Sequence, residues 1–144
     1  MPPVRLELEL TESSIFADRD KALAMLTRIK ALGVSIALDD FGTGYSSLDI
    51  LRSFPFDKIK TDRSFMPSIE ENPQARAIIS AVLALGRSLD IPVLAEGIET
   101  PGQLELLRDM GCAAVQGYFL GRPKPLTALV EAGQIALLHE GLPA

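Results

Sequence analysis

Five times along this chain a short apolar run is followed by residues with helical spacing, and no two runs are joined by a hairpin-type turn. Strands that alternate with helices cross over and run parallel, which leaves an open doubly wound sheet or the wall of a (β/α)8 barrel. The runs lie at residues 4–10, 34–40, 56–62, 91–96 and 113–118. In the first, Val4, Leu6, Leu8 and Leu10 alternate with Arg5, Glu7 and Glu9, the period of a strand. Residues 18–32 carry Leu23, Leu26, Ile29 and Leu32 about one helical turn apart, with Gly33 placed to end the helix. A Gly/Ser loop at 41–47 leads to a short helix near 48–53. Asn72-Pro73 is an N-cap pair for a helix through Leu89, with Ile78, Ile79, Val82, Leu83 and Gly86 on its inner stripe. Thr100-Pro101-Gly102-Gln103 is a capping box for a helix ending at Gly111, and a last helix spans 126–139.

Polar residues at the strand ends separate the two architectures. Glu9, Asp39-Asp40, Lys60, Glu96 and Gln116 each lie at or near the C-terminal end of a different strand. Barrel enzymes assemble their chemistry at that face from side chains of several strands, whereas an open sheet concentrates its ligand at one switch point. The expectation is therefore an α/β chain forming a partial (β/α)8 TIM-type barrel. A full barrel takes about 250 residues, against 144 here. About five of its eight strand–helix units are visible, and the others are expected ahead of Met1.

The formal charge of −5 disfavours a nucleic acid polymer or an anionic membrane as partner. One cysteine and one histidine exclude a disulfide framework and the usual zinc clusters. No apolar run approaches a membrane span of about 20 residues, and the start lacks signal-peptide features. A cytoplasmic protein without direct membrane insertion is expected. Glu9, Asp39, Asp40 and Glu96 offer carboxylate oxygens, which suit Mg2+, Mn2+ or Ca2+. Adjacent strand residues point to opposite faces, so Asp39 and Asp40 reach one metal site only where the strand turns into the loop. A pair of ions about 3.5–4 Å apart is a device for phosphate-ester hydrolysis. Simpler roles compete: Asp-Asp as turn residues, Glu7 or Glu9 as partner of Arg5, Lys58 and Lys60 as a charged strand face, Cys112 as a small buried hydrophobe.

Five runs in order resemble the signatures of one family. They are Leu8-Glu9-Leu10-Thr11-Glu12-Ser13, Ala37-Leu38-Asp39-Asp40-Phe41-Gly42-Thr43-Gly44-Tyr45-Ser46-Ser47-Leu48, Lys58-Ile59-Lys60-Thr61-Asp62-Arg63-Ser64-Phe65, Ala95-Glu96-Gly97-Ile98-Glu99-Thr100 and Gln116-Gly117-Tyr118. The chain is similar to the EAL domain, a family of bacterial phosphodiesterases that hydrolyse cyclic di-GMP to linear pGpG. The resemblance implies that Glu9 is a metal ligand, Asp39 bridges two Mg2+ or Mn2+ ions, and Asp40 binds the second. It implies that Glu96 is a ligand or general base, that Lys60 orients the attacking water and steadies phosphate charge, and that Gln116 lines the site. Glu12 and the loop of Phe41, Gly42, Thr43, Gly44, Tyr45, Ser46 and Ser47 match the lobe used for control and dimer contacts. Thr61 stands where isoleucine is commoner, leaving Lys60 and Asp62 in register.

No Glu-Ala-Leu tripeptide occurs in the chain. The resemblance places that tripeptide, an asparagine ligand and a substrate-binding arginine ahead of Met1. Residues 1–144 are thus expected to be the C-terminal part of such a domain, with impaired hydrolysis on their own. A homodimer or the missing N-terminal segment is the expected partner, and the parent is a cytoplasmic protein or the cytoplasmic part of a membrane-tethered multidomain one. The alternatives are a catalytically inactive cyclic di-GMP-binding or protein-interaction module, or a truncated product without an independent role.

Overall fold

A computed structural model of the chain describes residues 2–16, 18–42 and 48–131. Its strands are β1 (Glu7–Thr11), β2 (Ser35–Phe41), β3 (Lys58–Thr61), β4 (Val93–Glu96) and β5 (Ala114–Gln116). Every neighbouring pair is parallel and the spatial order is β1-β2-β3-β4-β5, the order of the chain. A doubly wound sheet reverses its strand order at a switch point; an unbroken sequential order is that of a barrel wall. The partial barrel expected from the strand ends is what forms.

The helices are α1 (Glu12–Phe16), α2 (Arg19–Ala31), α3 (Leu48–Ser53), α4 (Pro73–Leu89), α5 (Pro101–Asp109) and α6 (Leu126–Glu131). Their starts follow the cap chemistry. Asp18 accepts from the Lys21 amide and Asn72 from the Gln74 amide, and both halves of the Thr100–Gln103 capping box are made. Gly33 follows α2 at φ +89°, a conformation that its missing side chain allows. Among the described residues, no helix is long and apolar enough to cross a membrane.

Several boundaries differ from the periodicity. Residues 3–5 form a 3-10 turn, and pairing starts at Glu7 and runs on to Thr11. The Arg5 and Leu6 amides donate to the Pro2 and Pro3 carbonyls within that turn and not to a ladder, and Val4 and Arg5 are exposed. Arg5 is therefore not on the inner face with Glu7 and Glu9. The third strand begins at Lys58, because Asp57 turns its carboxylate onto the Ile36 amide (2.8 Å). Phe41 is the last residue of β2 and only 3% exposed, so it belongs to the core and not to the Gly/Ser loop. α1 and the 3-10 segment Arg63–Ser68 are too short to leave a period in the sequence.

The core lies between the sheet and its helices. Ile36, Leu38, Ile59 and Ala95 from the strands join Ile15, Leu26, Ile50, Ile79, Val82, Leu83 and Leu107 from the helices in one buried cluster. On α4 the buried stripe is Ala75, Ile79, Val82, Leu83 and Gly86. Ile78, expected on that stripe, is 39% exposed, since a step of one residue turns about 100° round a helix. Cys112 is half-buried, with its thiol donating to the Ala114 carbonyl at 3.1 Å.

Candidate active site

The register between β2 and β3 explains how two adjacent aspartates come to serve one rim. Leu38 pairs with Ile59 and Phe41 with Thr61, so β2 takes three steps where β3 takes two. Asp39 and Asp40 therefore stand together opposite Lys60 in a β-bulge, with Asp40 in the left-handed region at φ +56°. A bulge re-aims side chains that a regular strand would send to opposite faces. The switch was expected at the strand-to-loop turn; it occurs inside the strand, one residue before Phe41.

Lys60 is the centre of the constellation, its side chain only 6% exposed. Its Nζ lies 2.6 Å from Glu9 Oε1, 2.8 Å from Glu96 Oε1 and 3.8 Å from Asp39 Oδ1. β1 and β3 are not neighbours, so Glu9 reaches Lys60 across β2, whose residue opposite Glu9 is the small, fully buried Ala37. One layer below, Glu7 meets Lys58 in the same way at 2.5 Å. Both carboxylates thus pair with lysines of β3, and neither needs Arg5. Burial alone would lower the Lys60 pKa, but hydrogen bonds to Glu9 and Glu96 and the charges of Glu96 and Asp39 outweigh it and hold the ammonium above its ordinary range.

Asp40 experiences the opposite field. Partial burial, the charge of Asp39, and the charge and hydrogen bond of Asp62 raise its pKa, and Glu96 adds to the effect. Asp62 is itself held below the usual carboxylate value: hydrogen bonds from Ser64 and from Asp40, with the charge of Arg63, overcome its burial. The two neighbouring carboxylates are thus shifted in opposite directions. Asp39 accepts from the Asp40 amide at 2.9 Å. Among the described residues, no three carboxylate, imidazole or thiolate groups stand close enough together to hold an ion by themselves.

Glu96 ends β4, and Gln116 pairs beside it at the end of β5. The Gln116 side chain is exposed, while its carbonyl accepts from the Ile98 amide at 3.1 Å. Gly117 is forced by this contact, since a Cβ there would stand 2.1 Å from the Ile98 carbonyl oxygen and 2.2 Å from its nitrogen. Glu12 opens α1 directly after β1 and is 8% exposed. Gly42 turns the chain out of β2 at φ +101°. Thr43, Gly44, Tyr45, Ser46 and Ser47 lie outside the described residues, as does residue 139.

Two features were given no role by the sequence. Asp62 is one; its spacing to Ser64 marks a cap, and only the bulge brings it to Asp40. The other is a cavity of about 370 Å3 beyond β5, lined by Gln116, Tyr118, Arg122 and Lys124 among others, with the Arg122 guanidinium 4.4 Å from the centre of the Tyr118 ring. The sequence at 121–125 reads only as a Gly/Pro loop.

The EAL domain family matches residues 1–123. The chain is 48% identical over 126 residues to the cyclic di-GMP phosphodiesterase NbdA of Pseudomonas aeruginosa, covering 88% of this chain and 16% of that protein. Among solved structures, it superposes on the PaMucR phosphodiesterase in complex with c-di-GMP with a TM-score of 0.85 at 45% identity, covering 90% of this chain and 52% of the other. It also superposes on Klebsiella pneumoniae BlrP1 in a manganese/cy-diGMP complex, with a TM-score of 0.80 at 33% identity over 85% of this chain and 31% of that one. The curated relatives first in similarity are covered over no more than 19% of their own length. On sequence and fold together, this chain belongs to the EAL domain family.

Proposed function

We propose that the chain carries part of a metal-dependent phosphodiesterase site acting on cyclic di-GMP, yielding linear pGpG. The observation that supports it most is the gathering of Glu9, Asp39 and Glu96, from three different strands, on the single buried ammonium of Lys60, with Asp40 turned to the same rim by the bulge. The named relative and both solved neighbours carry the same substrate in their descriptions.

The donor set fits a hard divalent cation in chemistry. Asp39, Asp40, Asp62 and Glu96 offer only carboxylate oxygens, and the crowding that raises Asp40 is the field a cation relieves. Asp39 and Asp40 would hold one ion and Glu9 a neighbouring one, each completed by water or other groups, with Glu96 beside them. Such ions, Mg2+ or Mn2+, would polarise the phosphate and lower the pKa of a bound water. Lys60 keeps its proton and offers donors to the attacking water and to a phosphate oxygen. Glu96, 2.8 Å from that ammonium, takes up the water proton. The new bond is from water oxygen to phosphorus; the P–O3′ bond breaks and the departing O3′ takes its proton from solvent water. Arg122 and Lys124 give the rim beyond β5 a cationic surface suited to the second phosphate or a guanine.

The test is turnover of cyclic di-GMP with Mg2+ or Mn2+ by the chain and by its Asp39→Asn and Lys60→Ala variants. Slow production of pGpG that both variants abolish is expected. Equal rates in all three overturn the reading. A second reading, nucleotide binding or protein contact without turnover, is favoured by the lack of three metal-type donors at one point among the described residues. Binding of cyclic di-GMP with no pGpG formed selects it.

Within this reading the protein acts in the bacterial cytoplasm, where the second messenger is made. β1 and β5 are the edges of the described sheet, which favours pairing with further strands from a second copy or other polypeptide. A sharp monomer peak with cooperative melting counts against that pairing.

A further inference from the structure

We propose that Gln103 is a positioning residue for Glu96: its buried carboxamide latches the turn between β4 and α5 onto the segment that follows Lys60. This rests on the reading above that Glu96 and Lys60 serve the reaction. The ladder between β3 and β4 ends at Thr61 and Ala95, so Glu96 lies one residue past its reach. On its other side Glu96 pairs with Gln116 of β5, so what holds it against Lys60 from the β3 side is whatever fastens the turn beyond it.

Gln103 is 4% exposed and uses both ends of its amide. Oε1 accepts from the backbone amides of Glu99 (2.7 Å) and Thr100 (3.1 Å), while Nε2 donates 3.0 Å to the carbonyl of Met66. Met66 is fully buried in the Arg63–Ser68 segment, which starts just after Asp62. A capping box needs only the acceptor and is served equally by glutamate. The bond to Met66 needs the amide, because a carboxylate has no N–H to give. Gly97 packs into the same junction: a Cβ there would lie 2.8 Å from the Cβ of Arg63. On its other side the turn is bonded to Gln116 and Phe119 through the Ile98 backbone. The turn that follows Glu96 is thus clamped between β5 and the segment after β3; on the Lys60 side the Thr100 hydroxyl donates to Glu70 at 3.0 Å, and Gln103 is the buried clamp.

Gln103→Glu keeps both acceptor bonds and turns an oxygen toward the Met66 carbonyl, so it releases the latch while preserving the cap. Gln103→Met, apolar and of similar length, releases both without burying a charge. Thr100→Ala weakens the cap and removes the exposed bond to Glu70, but leaves the carboxamide contacts in place. Three readouts apply to each protein: the Lys60–Glu96 separation in a crystal structure, hydrogen exchange at the Glu99 and Thr100 amides, and kcat and KM for cyclic di-GMP per folded molecule. Gln103→Glu is expected to widen the separation and lower kcat at least about tenfold with KM within about twofold, since small misplacements of reacting groups are costly to turnover. Its Glu99 and Thr100 amides keep their protection, whereas Gln103→Met loses protection there as well as the separation. Thr100→Ala keeps the separation and kcat. A folded Gln103→Glu or Gln103→Met protein with the parent's separation overturns the proposal, whatever its activity. A parent chain that hydrolyses nothing rejects the phosphodiesterase reading instead, and the separation alone then decides the latch.

Discussion

Lysine meets carboxylate at both ends of this sheet, and the two meetings are built to different ends. At the N-terminal end, Lys30 pairs with Asp57, whose other oxygen accepts from the Ile36 amide, so one carboxylate has one cation and one backbone donor. The Lys30 and Ile36 hydrogen bonds outweigh partial burial and keep the Asp57 pKa below its ordinary value. At the C-terminal end, one lysine faces Glu9, Asp39 and Glu96, and the pKa of Asp40 beside them is raised. The first arrangement is charge-balanced and staples α2 to the strands. The second has an excess of negative charge that an added cation would relieve. The balanced end staples the fold, and the imbalanced end is where the proposed site lies, in keeping with barrel chemistry residing at the C-terminal face.

Four substitutions probe the contrast. Lys60→Ala removes the one cation that Glu9, Asp39 and Glu96 share among the described residues. It is expected to abolish hydrolysis of cyclic di-GMP and to cost about 2 kcal/mol in urea unfolding, less than a fully buried pair because the partners keep some solvent. Full activity in this variant would erase the distinction between the two ends. Gly117→Ala drives a methyl group into the Ile98 backbone and should destabilise by about 2 kcal/mol, loosening the Glu96 turn while leaving the Asp57 end intact. Hydrogen exchange mapped along the chain separates the two effects.

Asp57→Asn should cost about 1 kcal/mol and leave activity per folded molecule unchanged. Its signature is in the pH dependence. Because the folded-state pKa of Asp57 is lowered, its contribution is complete above the unfolded value of about 4 and is lost as the pH falls through the folded one. Denaturation of the variant between about pH 2 and 5 should therefore show a flatter acid limb than the parent. The smallest effect has the opposite sign. The Thr61 hydroxyl is fully buried without a hydrogen-bond partner, so Thr61→Val should stabilise by up to about 1 kcal/mol. A loss of stability there would reveal a partner for that hydroxyl.

The alternation of strands and helices, the caps at Asn72 and Thr100, and the polar strand ends were all legible in the sequence, because each depends on residues within one or two helical turns. The points where the strands begin were not. The 3-10 turn at residues 3–5 delays β1, and the Asp57 carboxylate, bonded to the Ile36 amide of the neighbouring strand, sits just before β3. The candidate residues could be named, but not their partners. Glu9 finds Lys60 across an intervening strand, and Asp62 finds Asp40 only because β2 carries an extra residue opposite Lys60.

What the linear order determined by itself was the set of local preferences: period, capping chemistry and the carboxylates that close the strands. Tertiary structure alone decided which charges neutralise one another. The bulge at Asp39-Asp40, the small Ala37 beneath the Glu9–Lys60 bridge and the carboxamide of Gln103 act over distances through space that no spacing along the chain encodes. An ion pair depends on where two side chains end, and that is set by register and packing after the elements have formed.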